Sequence, residues 1–251
     1  MVDFNSMTRE QKEEMELLLK RKRALLQKNK ISTFYPDIGP LRRELYHRHL
    51  QFFAAGSQHT PMEVCPEKCD GSPHRERCFL AANRVGKTEG VGAYETTLHL
   101  TGEYPKWWPG RRFNRPVSWW CSGDTGKTTR DILQGKLLGK YGQFGTGMIP
   151  GHSLQSWTPK AGVPEAVEIV SVKHASGGIS RLTFKSYDQK REAFQGTEQD
   201  GVWLDEECSK DIYVECLMRT MTCNGMLIIT FTPLMGMTEL IRDFLSIEMA
   251  E

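Results

Sequence analysis

The segment AANRVGKTE, residues 81–89, constrains the fold more than any other stretch of this chain. It follows the apolar run CFL and opens a run with helical character, which is the strand–turn–helix setting of a phosphate-binding loop. Gly86 lets the backbone wrap an anion, so that N–H groups and the helix N-terminus face it. Lys87 is then placed to reach β- and γ-phosphates, and Thr88 to hold Mg²⁺ through its hydroxyl. Ala81 stands where the pattern G-x-x-x-x-G-K-[ST] has its first glycine, while the phosphate-facing half is intact. The expected cradle is Ala81, Ala82, Asn83, Arg84, Val85, Gly86, Lys87 and Thr88. The other reading is a strand–helix turn that binds nothing. A rival loop exists in CSGDTGKTT, residues 121–129, where Cys121 replaces the first glycine. Local pattern does not separate the two. Topology favours the first, because a nucleotide-binding strand commonly opens the sheet and later strands donate to the site.

A second half of such a site is present in GVWLDEE, residues 201–207, an apolar strand ending in carboxylates. Asp205 is placed to hold the Mg²⁺ hydration shell, and Glu206 to polarise the water that attacks a γ-phosphate. Glu207 has no assigned role. Three acids at a strand end mean little alone; paired with an upstream phosphate loop they point to an ATPase. MLIITFTP, residues 226–233, is a third buried strand with hydroxyls at its end. Thr230 and Thr232 there are either γ-phosphate sensors that couple hydrolysis to movement or simply residues that suit strands. Three strand ends meeting at one crevice are what a nucleotide-binding α/β sheet requires.

The rest of the chain agrees. Residues 8 to about 30 read as a helix with a Thr8–Gln11 capping-box spacing, acids early and bases late. Its Lys20–Arg23 run is either a solvated face or a phosphate contact. A second helix is expected from Leu41 to near Gly56, with Leu41, Leu45, Leu50, Phe52 and Phe53 as its apolar positions. PVSWWCS reads as a strand, TTRDILQGKLLGKYG as the helix after it, and AVEIVSVKH and SRLTFKSY as a hairpin around SGG. Strands alternating with helices predict an α/β fold, a mainly parallel sheet covered on both faces. The domain expectation is an N-terminal helical segment over 1–40 and an ATPase domain over 41–251. A net charge of +2 from 33 Lys+Arg and 31 Asp+Glu excludes a uniformly basic nucleic-acid binder but permits a local basic surface. No stretch reaches the ~18–20 apolar residues of a membrane helix, and the polar N-terminus does not read as a signal peptide, so no membrane partner is expected.

Seven cysteines are an odd number that argues against a secreted disulfide framework and for a reducing cytoplasm. Cys121, Cys208, Cys216 and Cys223 read as small buried hydrophobes. The others form Cys65-x3-Cys69-x4-His74-x3-Cys78, a candidate tetrahedral Zn²⁺ set in an insertion over 57–77. Free cysteines near the surface are the competing reading.

Taken in order, AANRVGKTE, LTGEYPKWWPGRRFNRP, FKSYDQKREAFQGT, GVWLDEE and TFTPLMG resemble the large terminase subunits of tailed bacteriophages, over residues 41 to about 245. The resemblance implies a RecA-like (ASCE) P-loop fold and ATP hydrolysis coupled to translocation of double-stranded DNA into a procapsid. It also implies a homo-oligomeric ring on the portal protein, a small terminase subunit as partner, and action in the host cell cytoplasm. Carried over by residue, Lys87, Thr88, Asp205, Glu206 and Thr230–Pro233 take the roles given above. Gln51 falls where the family places an adenine-recognising glutamine, a helix-surface glutamine being the alternative. Arg84 is the candidate for stabilising transition-state charge; some relatives carry their loop arginine one residue earlier, where this chain has Asn83. Arg219 either acts across a subunit boundary or forms a structural salt bridge. The nuclease part that follows the ATPase in such proteins has no counterpart after Phe244, so DNA cleavage is not expected of this chain. A helicase-type translocase and a non-enzymatic zinc-bearing adaptor are the alternatives. Candidate DNA contacts are Arg111 and Arg112 in WWPGRR and the KSYDQKR loop.

Overall fold

Apolar residues two apart along each central strand divide between opposite faces of one sheet, and this alternation organises the molecule. Trp119 and Cys121, Trp203, and Met226 and Ile228 enter one buried cluster. Trp120, Val202 and Leu204, and Leu227, Ile229 and Phe231 enter the other. The computed structural model describes residues 8–64, 69–233, 236 and 238–249, with the backbone alone described for 19–28, 62 and 245–249.

The sheet has seven strands: β1 (Glu76–Leu80), β2 (Ser118–Gly123), β3 (Leu154–Pro159), β4 (Val167–Lys173), β5 (Ile179–Ser186), β6 (Gly201–Asp205) and β7 (Met226–Phe231). Their spatial order is β1-β7-β6-β2-β5-β4-β3. β1, β7, β6, β2 and β5 run parallel, and β4 and β3 close one edge as antiparallel partners. β7 therefore lies between the strand that leads into the phosphate loop and the strand that ends in the acids. The helices are α1 (Arg9–Lys28), α2 (Lys30–Thr33), α3 (His47–Ala54), α4 (Pro61–Val64), α5 (Tyr94–Thr101), α6 (Gly126–Thr128), α7 (Gly135–Leu138), α8 (Lys210–Met221) and α9 (Glu239–Met249). α5 is entered through a π-helical segment, Lys87–Ala93, and Thr129–Gln134 joins α6 to α7 in the same way.

α1 begins at the expected capping box. Thr8 N–H donates to Gln11 Oε1 at 2.9 Å, and Gln11 N–H to Thr8 Oγ1 at 3.3 Å. The side chains of Lys20–Arg23 lie outside the described residues. The helix expected from Leu41 is shorter: a 3₁₀ turn over Arg43–Tyr46 precedes α3. Leu41 and Leu45 are exposed, whereas His49, Phe52 and Phe53 are buried, so the buried face begins only at α3. β3 has no buried apolar face and exists through its pairing with β4, which is why its sequence gives no strand signal. Among the described residues no helix is long and apolar enough to cross a membrane.

Candidate phosphate-binding site

Three parallel strand ends converge on the turn between β1 and α5. At its apex Gly86 has φ +86°, a left-handed backbone that glycine adopts without Cβ strain. Lys87 follows, buried, with Nζ donating to Thr232 Oγ1 at 2.5 Å and to the Ala82 carbonyl at 3.3 Å. Thr232 in turn donates to Asn83 Oδ1 at 2.9 Å. The lysine of the loop and the end of β7 are thus in direct contact. Ala81 N–H donates to the Phe231 carbonyl at 3.3 Å, which continues the β1–β7 pairing into the turn.

Thr88 and Thr230 approach the buried carboxyl of Asp205 from two elements. Thr88 Oγ1 lies 3.1 and 3.3 Å from the two carboxyl oxygens, and Thr230 Oγ1 lies 2.6 Å from Oδ1. Trp203 Nε1–H donates to Thr230 Oγ1 at 2.8 Å, so the threonine hydroxyl is left to point its proton at the acid. Burial pushes Asp205 up to about 7, partly offset by the Thr230 and Thr88 hydroxyls, while the neighbouring Glu206 charge adds to the rise. A carboxyl so placed gains when a divalent cation replaces its proton. One hydroxyl and one carboxylate at adjacent strand and helix ends form the donor pair that a Mg²⁺ ion carrying several waters takes.

Glu206 has φ +65°, and its N–H donates to the Thr230 carbonyl at 2.8 Å, so the chain turns sharply just past Asp205. Arg84 has φ +64° and is exposed in the loop. Non-glycine residues in this region cost roughly 1–3 kcal/mol each and concentrate where geometry serves function. The Tyr187 hydroxyl underpins the turn from the β5 end, 3.0 and 3.2 Å from the Asp205 and Glu206 carbonyls. Glu207 is engaged instead by the Thr238 hydroxyl, just before α9.

The other candidates are spread over the molecule. Lys127 of the rival loop is exposed, and Thr125 and Thr128 cap α6 with a reciprocal pair of hydrogen bonds. Gln51 Nε2 donates to the Glu63 carbonyl at 2.8 Å, and the residue lines a cavity of about 480 Å³ with Phe79, Leu80 and Phe231 at the β1 and β7 ends. Arg219 pairs with Glu215 at 2.8 Å on its own helix and donates to the Gly196 carbonyl at 2.9 Å. Arg111 donates to the Asn224 carbonyl at 2.7 Å and Arg112 to those of Pro105 and Trp108, while Lys185 of the KSYDQKR loop lies over the Trp120 ring. The expected zinc set is not reproduced as written. Cys65 lies outside the described residues, and Cys78 sits on β1 packed against the second apolar cluster. Among the described residues the metal-type cluster is His59, Cys69 and His74.

Sequence patterning missed the support behind the loop. His49 Nε2 lies 3.1 Å from the Val85 carbonyl, and its Nδ1 is 2.6 Å from the Tyr35 hydroxyl, which also reaches the Gly90 carbonyl at 2.8 Å. It missed Trp203 as well, the residue that orients Thr230. Neither carries a motif signature.

A family model described as "Terminase large subunit, T4likevirus-type, N-terminal" matches residues 78–248. The chain belongs to the terminase large subunit family. It is 41% identical over 196 residues to the large terminase subunit of Salmonella phage P22, a match covering 70% of this chain and 39% of that protein. The chain therefore spans well under half the length of this relative. The fold is also that of the large terminase of a thermophilic bacteriophage, with TM-score 0.50 at 11% identity over 73% of this chain and 38% of that one.

Proposed function

We propose that this chain is the ATP-hydrolysing motor domain of a phage terminase, coupling hydrolysis to movement of double-stranded DNA into a procapsid. The observation that carries this reading is the meeting of Thr88, Asp205 and Thr230 in one hydrogen-bonded set, with Lys87 reaching Thr232 beside it. Loop, acid strand and intervening strand are joined by these contacts.

In this reading the loop backbone from Ala81 to Gly86 cradles the phosphates and Lys87 exchanges Thr232 for phosphate oxygens. Thr88 and Asp205 would hold Mg²⁺, which when bound would supply neutralisation of phosphate charge. Glu206 orients and deprotonates the attacking water, and Arg84 faces the γ-phosphate from the exposed part of the loop. Gln51, at the edge of its cavity, is the candidate contact for the base. Exchange at Lys87 would release Thr232, just past the end of β7, which would link occupancy to that strand end. Double-stranded DNA is the track; the portal protein, the small terminase subunit and further copies of the chain in a ring are the partners. Arg219 shares Glu215 with Arg191, which supports a structural salt bridge as its role in this chain.

Steady-state ATP turnover tests the reading, with and without DNA and portal and over a range of chain concentrations. Mg²⁺-dependent hydrolysis is expected, with Glu206→Gln lowering kcat by about 10²–10⁴-fold while nucleotide still binds. Equal turnover by wild type and Glu206→Gln under all these conditions would overturn it.

A further inference from the structure

The chain around α4, on the way to β1, gathers three metal-binding side chains that the nucleotide chemistry does not use. His59 Nε2 lies 3.2 Å from Cys69 Sγ, and His74 Nε2 lies 3.3 Å from the same sulfur. All three donor atoms lie within 4.8 Å of one another. A tetrahedral Zn²⁺ with the usual Zn–N and Zn–S bond lengths separates its nitrogen and sulfur donors by ~3.5 Å, so only a small adjustment brings them round one ion.

The surroundings fit a metal in two further ways. His59 Nδ1 lies 2.8 Å from the Ser57 carbonyl, to which its N–H donates. That bond fixes the tautomer whose Nε2 lone pair faces the sulfur, the outer partner that a metal-bound histidine ordinarily has. Gly71 N–H donates to Cys69 Sγ at 3.3 Å, which holds the sulfur in place between the two imidazoles. The loop holding these groups is also tied to itself and to α3. His59 N–H donates to the Gly71 carbonyl at 3.0 Å, and His74 N–H to the Ala55 carbonyl at 2.8 Å. A Cβ at Gly71, where φ is +79°, would stand 2.5 Å from the His59 carbonyl oxygen, so the close approach needs glycine.

We propose that His59, Cys69 and His74 bind one Zn²⁺ ion, which pins these residues against the end of α3 at the entry to β1. Imidazoles with a thiolate select zinc over Mg²⁺ or Ca²⁺. His59 replaces Cys78 in the set because Cys78 belongs to the strand, with its side chain committed to the sheet. The fourth coordination position is left to water or another donor. Zinc binding at these three residues is independent of the nucleotide chemistry.

The test is metal analysis of the purified chain, produced in zinc-supplemented medium and dialysed against metal-free buffer. About one zinc per chain is expected, retained in Cys78→Ala and weakened in His59→Ala by more than the ~10–100-fold that losing an outer partner costs. Co²⁺ added to the wild-type chain after chelation should give the strong visible absorption of a tetrahedral site and a near-ultraviolet thiolate-to-cobalt band. This readout needs no variant to fold, and Cys69→Ser should lose the near-ultraviolet band. Less than about a tenth of an equivalent of zinc together with no cobalt spectrum would overturn the site. Zinc lost in Cys78→Ala but kept in His59→Ala would overturn the ligand set.

Discussion

Two lysines, Lys87 and Lys127, follow a glycine at the end of a parallel strand, and their surroundings separate them. Lys87 is buried against Thr232 and the Ala82 carbonyl; Lys127 is exposed beside a helix cap. Removing a charged hydrogen-bond donor costs ~1.5–3 kcal/mol, so Lys87→Ala should weaken ATP binding by about 10–100-fold. Lys127→Ala should change it by less than about threefold, and isothermal titration with a non-hydrolysable analogue distinguishes them. The reverse result would move the site to the β2 end. A second residue-scale consequence follows from Gly92, whose added Cβ would stand 2.0 Å from the Trp203 ring. Trp203 holds Thr230, and Thr230 holds Asp205, so the clash cannot relax without moving the acid. Gly92→Ala should lose at least ~1–3 kcal/mol in urea unfolding and impair Mg²⁺-dependent nucleotide binding at the same time. Lys87, Thr88 and Asp205 were legible in the sequence because each lies within a short local pattern whose chemistry requires it. Trp203 and Gly92 were not, because their roles exist only where the helix after the loop packs on β6. His59 was missed for a similar reason. It precedes Cys69 by ten residues, with α4 between them, and only the fold of the loop brings the imidazole back to the sulfur.

At the scale of elements, the phosphate loop is braced from behind by α3 and by the chain following α2. His49 reaches the Val85 carbonyl, and Tyr35, almost fully buried, spans His49 and the Gly90 carbonyl. These contacts pre-set the loop, and pre-organisation is what a binding site gains from neighbours that never touch ligand. Tyr35→Phe removes the hydroxyl and leaves the buried Gly90 carbonyl and His49 Nδ1 without it, at ~1–3 kcal/mol. The expected outcome is a lower urea midpoint and weaker nucleotide binding, with the exposed Arg42→Ala unchanged in both. Unchanged affinity in Tyr35→Phe would show that the brace serves stability alone. The order of strands and helices was legible because the central strands are short apolar runs ended by glycine, proline or acids. The start of α3 was not, since Leu41 and Leu45 extend a helical period that the fold leaves in solvent. Periodicity reports what a segment is able to bury, and the pairing of elements decides what it does bury.

For the whole molecule, the core also holds polar groups that it has to keep in one protonation state. One such set crosses from β1 to α5 within the first apolar cluster: Arg77 Nη2 lies 2.7 Å from Glu95 Oε1, and His99 Nε2 lies 3.2 Å from the same oxygen, all three buried. Burial works against the Glu95 charge, but Arg77 beside it and the contact with His99 hold its carboxyl below the usual range. Burial also pushes His99 down, outweighing the pull of Glu95, and pushes His49 down behind the phosphate loop. Breaking a buried pair by removing one partner is strongly destabilising, so Glu95→Ala should cost ~3–5 kcal/mol. The same groups contribute to the response to acid, against Asp205, whose buried carboxyl takes up a proton in the fold below about 7 and adds stability as pH falls. Both histidines stay neutral in the fold to lower pH than in the unfolded chain, whose imidazoles titrate near ~6.5, and Glu95 stays ionised below the ~4.3 of an unfolded glutamate. Over each interval the unfolded chain binds more protons than the native one, so unfolding becomes easier as pH falls. The contribution of the histidines is complete above ~6.5 and is lost as pH drops towards their native values; that of Glu95 is lost below ~4.3. In an Asp205→Asn background, which removes that opposing gain, urea midpoints measured from pH ~8 to ~4 should hold nearly level at first, decline from about 6.5, and decline again near 4. His99→Asn, whose amide does not titrate, should remove part of the first decline and, because the His99 contact helps hold Glu95 ionised, also reduce the second. A midpoint that rises in that Asp205→Asn background as pH falls from about 6.5 would show that these histidines gain their partners as cations, the opposite of what their burial dictates.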